Sequence, residues 1–173
     1  RIFTAPHVPE RFTRCSFSTF TIDFSGAEYR RQLGEAHDTV QAWVELAIAR
    51  KPACLALIGS QGNGKSHLLW SAVDSLSKAR VRCYARSWYR LADELRYGGP
   101  TPWLPATKEA WELRQLLLDA PAVAIDEVCA TAGTTFDESE LGKIAKNAWD
   151  NSQPLIITTN VHPLSNLMGD SAA

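Results

Sequence analysis

Gly59-Ser60-Gln61-Gly62-Asn63-Gly64-Lys65-Ser66-His67-Leu68-Leu69 is the stretch on which the fold turns. Three glycines, a lysine and two serines fall within its first eight residues, and then it becomes apolar. Gly59 to Ser66 fits the GxxxxGK[ST] spacing of a phosphate-binding loop. The chemistry needs these residue types. Glycines let the backbone turn its N–H groups inward around phosphate oxygens. A helix starting at the end of the loop adds partial positive charge. Lys65 would reach the outer phosphates, and the Ser66 hydroxyl would face Mg²⁺. A plain Gly-rich turn before a helix has similar composition, so the surroundings decide.

Before the loop, Ala53–Ile58 is a short apolar run, as a fully buried strand requires. After it, Lys65–Arg80 places Leu68, Leu69, Ala72, Val73 and Leu76 on one helical face. Strand, glycine loop and helix is the context that makes the spacing a phosphate cradle. The same alternation continues along the chain. Apolar positions at helical spacing predict a helix from Glu28 to Arg50, stopped by Pro52. Val81–Ala85 reads as a strand, Ser87 caps a helix through Arg96, and Gly98–Pro105 reads as a loop. Lys108–Asp119 reads as a helix, Pro121–Val128 as a strand, Asp137–Asp150 as a helix and Pro154–Asn160 as a strand. Apolar strands alternating with helices predict an α/β fold: a parallel sheet with helices on both faces. Residues 1–27, rich in Pro, Phe, Ser and Thr, read as an extended N-terminal arm before a core of residues 28–173.

A phosphate cradle alone does not separate a kinase from a hydrolase. The strand Pro121–Val128 ends in Asp126 and Glu127. In a parallel sheet all C-terminal strand ends share one edge, where ligands bind. Asp126 is therefore a candidate Mg²⁺ ligand alongside Ser66, and Glu127 a candidate base that polarises attacking water. Thr158, Thr159 and Asn160 end the last strand on the same edge, and Asn160 is placed to orient that water and sense the γ-phosphate. A guanine-recognition motif and an Arg-rich kinase lid are both missing from the sequence. A small-molecule kinase would also have no use for Glu127.

The chain has 173 residues, 45% hydrophobic, with a net charge of −1. That suits one domain with a sizeable core and argues against a uniformly basic nucleic-acid coat. The four cysteines, Cys15, Cys54, Cys83 and Cys129, form no CxxC pair and read as free buried thiols of a reducing compartment. His7, His37 and His162 lack ligand-like spacing, which argues against a zinc site. No apolar run approaches the ~20 residues of a membrane span, so a cytoplasmic protein without a membrane partner is predicted. Arg86 and Arg90, four apart on the predicted third helix and interleaved with Trp88 and Tyr89, are candidate single-stranded DNA contacts; a solvated charged face fits them too. Phe17, Phe20 and Phe24 read as packing of the arm. Trp103 reads as a loop anchor or a partner contact.

Together GSQGNGKSHLL, AVAIDEV and PLIITTN resemble the AAA+ P-loop ATPases, and within them the DnaC/DnaI-type helicase loaders and IstB-like helper ATPases. His67 directly after Ser66 is part of that likeness. The resemblance implies ATP and Mg²⁺ at Gly59, Ser60, Gln61, Gly62, Asn63, Gly64, Lys65, Ser66 and His67, with Phe17, Phe20 and Phe24 as a border to the adenine. It also implies ATP hydrolysis in DNA replication, a replicative DNA helicase and single-stranded DNA as partners, and a bacterial or phage source. Alternatives are a transposition helper and a nucleotide-switched DNA-binding initiator with little turnover. The family's C-terminal lid is expected to be absent. So is its arginine finger, because no arginine follows Arg114. A trans arginine is worth about 10³–10⁵ in rate, so slow hydrolysis and ATP-dependent assembly with an outside arginine are expected.

Overall fold

The computed structural model describes residues 8–22, 26–97, 108–128 and 135–160. Among the described residues the apolar runs become four strands: β1 (Cys54–Ile58), β2 (Tyr84–Ser87), β3 (Val123–Val128) and β4 (Leu155–Thr159). They form one parallel sheet in the order β1-β4-β3-β2. Five helices among the described residues connect or flank them: α1 (Ala27–Ile48), α2 (Lys65–Lys78), α3 (Trp88–Tyr97), α4 (Lys108–Leu118) and α5 (Thr135–Asp150).

Successive strand residues point to opposite faces, and each face has its own core. On one side Ala122, Ala124 and Ile156 meet Val40, Trp43 and Val44 of α1 and Leu69, Val73 and Leu76 of α2. On the other, Val123, Ile125 and Leu155 meet Leu91 and Leu95 of α3, Leu117 of α4 and Leu141 and Ile144 of α5. Burial on both faces is why the strands read as unbroken apolar runs. Buried Gln153 donates to the carbonyls of Leu117 and Ala120 at 2.8 and 2.7 Å, satisfying acceptors at the end of α4.

Three helices end in the same way. Arg50, Arg80 and Ser152 take φ of 54°, 59° and 53° just past α1, α2 and α5. In each case the residue after them donates back to a carbonyl in the helix: Lys51 to Leu46, Val81 to Leu76 and Gln153 to Ala148. This is the Schellman closure, which glycine usually provides. It corrects the predicted second strand. Val81 is spent on closing α2, so pairing begins at Tyr84, whose N–H donates to the Ala122 carbonyl at 2.9 Å. Arg86 therefore lies in β2, opposite Ile125, and not on a helix with Arg90.

Two further expectations change. The arm is not simply extended: among the described residues it forms two 3-10 turns, Glu10–Phe12 and Phe17–Thr19. Its Val8, Phe12, Cys15, Phe17 and Phe20 pack on the α1–α2 core. Cys54, expected buried, is exposed, because among the described strands β1 has only β4 beside it. Cys15 is half-buried, and burial pushes the Cys83 thiol up to about 12. Cys129 lies outside the described residues. Among the described residues no helix is long and apolar enough to cross a membrane.

Candidate nucleotide site

The loop from Gly59 to Gly64 joins β1 to α2. Gly62 and Gly64 have φ of 84° and 87°, where a side chain is strained. A Cβ on Gly64 would also stand 2.7 Å from Cε2 of Phe20, so the arm closes on the loop only because that position is bare. Lys65 folds its ammonium over the loop. Its Nζ donates to the Gly59 and Ser60 carbonyls, both at 2.7 Å, and to Asn63 Oδ1 at 2.9 Å. Burial lowers its pKa from the ordinary value, and the Asp126 and Glu127 carboxylates oppose that shift.

Asp126 lies beneath the loop and is 1% exposed. A carboxylate so buried is costly unless it is bonded, and three donors meet it. Ser66 Oγ and Thr158 Oγ1 reach Oδ1 at 2.8 and 2.6 Å, and Trp70 Nε1 reaches Oδ2 at 3.0 Å. Ser66 comes from the first turn of α2, Thr158 from β4 and Trp70 from the middle of α2.

A bulge turns Glu127 toward the cleft above Asp126. Ile125 pairs with Ile157 and Val128 with Thr159, so Asp126 and Glu127 together oppose Thr158. Glu127 absorbs the extra residue with φ of 57°. Its N–H donates to Thr158 Oγ1 at 2.8 Å. One hydroxyl thus fixes the backbone of Glu127 and the carboxylate of Asp126. Without the bulge, strict alternation would turn Glu127 into the sheet face opposite Asp126. With it, the Glu127 carboxylate is exposed and lines a cleft of about 280 Å³ with Gln61 to His67, Arg11, Phe12, Thr158 and Asn160. A larger groove of about 1140 Å³, along β1, β4 and α5, contains none of the predicted site residues.

No family model and no curated protein matches the chain. Solved structures do match. The DnaC helicase loader superposes with a TM-score of 0.72 at 18% identity, over 92% of this chain and 90% of that one. A DNA replication initiation factor gives 0.69 at 20% identity, over 92% of this chain and 46% of that one. The replication initiator DnaA, bound to AMPPCP and single-stranded DNA, gives 0.66 at 18% identity, again over 92% and 46%. This is the AAA+ P-loop fold. The chain spans about half the length of the two initiator chains, and at these identities the likeness is one of fold.

Within this fold the predicted residues divide. Gln61 to Ser66, His67, Glu127 and Asn160 line the cleft. Gly59 and Ser60 contribute the carbonyls that hold Lys65. Asp126 lies under the cleft, and Thr159 turns away from it, donating to the Val128 carbonyl at 2.9 Å. His67 holds the arm: its Nε2 is 3.2 Å from both the Ser16 carbonyl and the Thr19 hydroxyl. Phe20 packs edge-on against His67, with centroids 5.4 Å apart, and Phe17 packs against His37 at 5.3 Å. Arg86 and Arg90 do not line the cleft. Arg86 is half-buried, with Nε 3.8 Å from Glu94, while Arg90 and Tyr89 are exposed on α3. Phe24, Trp103, His7 and His162 lie outside the described residues. Sequence reasoning missed Arg11, Phe12 and Trp70. Arg11 is 116 residues from Glu127, which no local spacing could reveal.

Proposed function

We propose that this chain binds ATP with Mg²⁺ in the cleft between Gly59–His67 and Glu127, hydrolyses it slowly by itself, and serves DNA replication as a loader of a replicative helicase. The observation that carries the proposal is the joining of Lys65, Ser66, Asp126 and Glu127 in one place. A lysine on the loop, two hard oxygen donors 2.8 Å apart and a carboxylate turned into the same cleft suit a Mg–nucleoside triphosphate. When bound there, Mg²⁺ would neutralise part of the phosphate charge. Ser66 and Asp126 would hold it. Lys65 would exchange loop carbonyls for phosphate oxygens. Glu127 would accept a proton from the attacking water, which Asn160 orients.

The loader reading draws on the match to the DnaC helicase loader along 90% of its length. The match to DnaA, which was solved with AMPPCP and single-stranded DNA, keeps a nucleotide-switched initiator as the second reading. For DNA, exposed Tyr89 and Arg90 offer stacking and phosphate contacts. The test has two arms. Purified protein should bind AMPPCP in a Mg²⁺-dependent way and turn over ATP slowly. It should also raise the amount of ring-shaped replicative helicase deposited on single-stranded DNA. Nucleotide binding together with tight duplex binding and no effect on the helicase selects the initiator.

A further inference from the structure

Arg11 belongs to the first 3-10 turn of the arm, and its Nη2 donates to Glu127 Oε1 at 3.1 Å. That turn is anchored. The Phe12 ring stacks on Trp70 with centroids 5.9 Å apart and planes at 18°. Trp70 donates to Asp126 at 3.0 Å. The Arg11 guanidinium itself lies 4.6 Å from the Phe12 ring centroid. One turn of the arm therefore contacts both carboxylates of the site, Glu127 directly and Asp126 through an indole. Arg11 and Phe12 line the same cleft as Lys65 and Ser66.

The ion pair is wet: the side chains of Arg11 and Glu127 are 64% and 44% exposed. Pairs so exposed are weak and exchange readily. A guanidinium matches phosphate oxygens as a two-pronged fork, and a terminal phosphate carries more charge than one carboxylate. We propose that Arg11 is a γ-phosphate-recognising residue supplied by the arm. It pairs with Glu127 when no triphosphate is bound and transfers to the terminal phosphate when one is. The proposal rests on the nucleotide reading of the cleft given above. Two consequences follow from the geometry. The Glu127 carboxylate stays engaged until a triphosphate arrives, and the arm's position registers which nucleotide is present. A diphosphate lacks the terminal group and leaves the pair intact.

Calorimetric titration with AMPPCP and with ADP, in Mg²⁺, tests this on the wild type, Arg11→Ala and Arg11→Lys. Arg11→Ala is expected to lose about tenfold or more in AMPPCP affinity, as for one charge-assisted hydrogen bond, and to stay within about twofold for ADP. Arg11→Lys should recover part of the loss, since it keeps the charge without the fork. Equal loss for both nucleotides overturns the proposal and assigns Arg11 to holding the arm. Unchanged affinity for both also overturns it and makes the contact incidental. If the wild type binds neither nucleotide, the nucleotide reading itself falls and this proposal with it. That outcome is distinct, because the wild type shows it before any variant is compared.

Discussion

Ser66 and Asp126 stand 60 residues apart in the chain and share a hydrogen bond of 2.8 Å. The bond joins the first turn of the helix after the glycine loop to the end of a strand two positions across the sheet from the strand that carries the loop. It places the two oxygens suited to Mg²⁺ side by side, and everything proposed for the site depends on it.

Lys65 and Glu127 face the same cleft with different tasks, so their variants should separate. Lys65→Ala is expected to lose most ATP affinity, while Glu127→Gln keeps affinity and stalls turnover. Equilibrium nucleotide binding and single-turnover hydrolysis check this. Equal loss of binding in both variants would contradict the division of roles.

Thr158 is buried and serves two partners with one hydroxyl. Thr158→Val strips a donor from Asp126 and an acceptor from the Glu127 N–H. A stability loss of about 1–3 kcal/mol is expected, because such partners are costly to leave unpaired. Turnover should fall further than nucleotide affinity. Urea unfolding and steady-state kinetics on the same preparation measure both.

Gly64 meets two constraints at once, a φ of 87° and a Phe20 carbon 2.7 Å from where a Cβ would stand. Gly64→Ala should cost about 1–3 kcal/mol from the backbone strain, in addition to the clash. Adding Phe20→Ala should relieve the clash alone. A double-mutant cycle by thermal unfolding reads the difference, and full recovery would show that the backbone angle is unimportant.

His67 ties the arm to α2 through Ser16 and Thr19. His67→Ala is expected to speed tryptic cleavage after Arg11 and Arg14 with little change in the unfolding midpoint, because local opening of an arm needs far less energy than global unfolding. Mass spectrometry of a timed digest detects it. Unchanged cleavage would assign the anchoring to Phe12 and Trp70 instead.

Arg80 closes α2 in the left-handed region, with φ of 59°, and its side chain is exposed. A non-glycine residue there costs about 1–2 kcal/mol, partly offset by the greater freedom of glycine in the unfolded chain. Arg80→Gly should therefore raise stability by up to about 1 kcal/mol, as chemical denaturation would show. A loss would mean that the arginine side chain contributes more than its backbone strain costs.

The sequence by itself determined the strand–loop–helix around Gly59–Ser66, the alternation that makes a doubly covered parallel sheet, and the edge on which Asp126, Glu127 and Asn160 meet. Those features are local or periodic. Phosphate chemistry dictates a short spacing, burial on both faces dictates apolar runs, and parallel strands dictate a common edge. Only the tertiary structure decided the rest. The ends of α1, α2 and α5 carry no glycine, so nothing in the sequence announced that Val81 belongs to a helix closure and that Arg86 sits in a strand. The bulge that turns Glu127 toward the cleft comes from the register between β3 and β4, which a single strand cannot specify. The contacts of Trp70 with Asp126 and of Arg11 with Glu127 span 56 and 116 residues. Contacts so distant follow from how the layers and the arm pack, and they leave no periodicity to read.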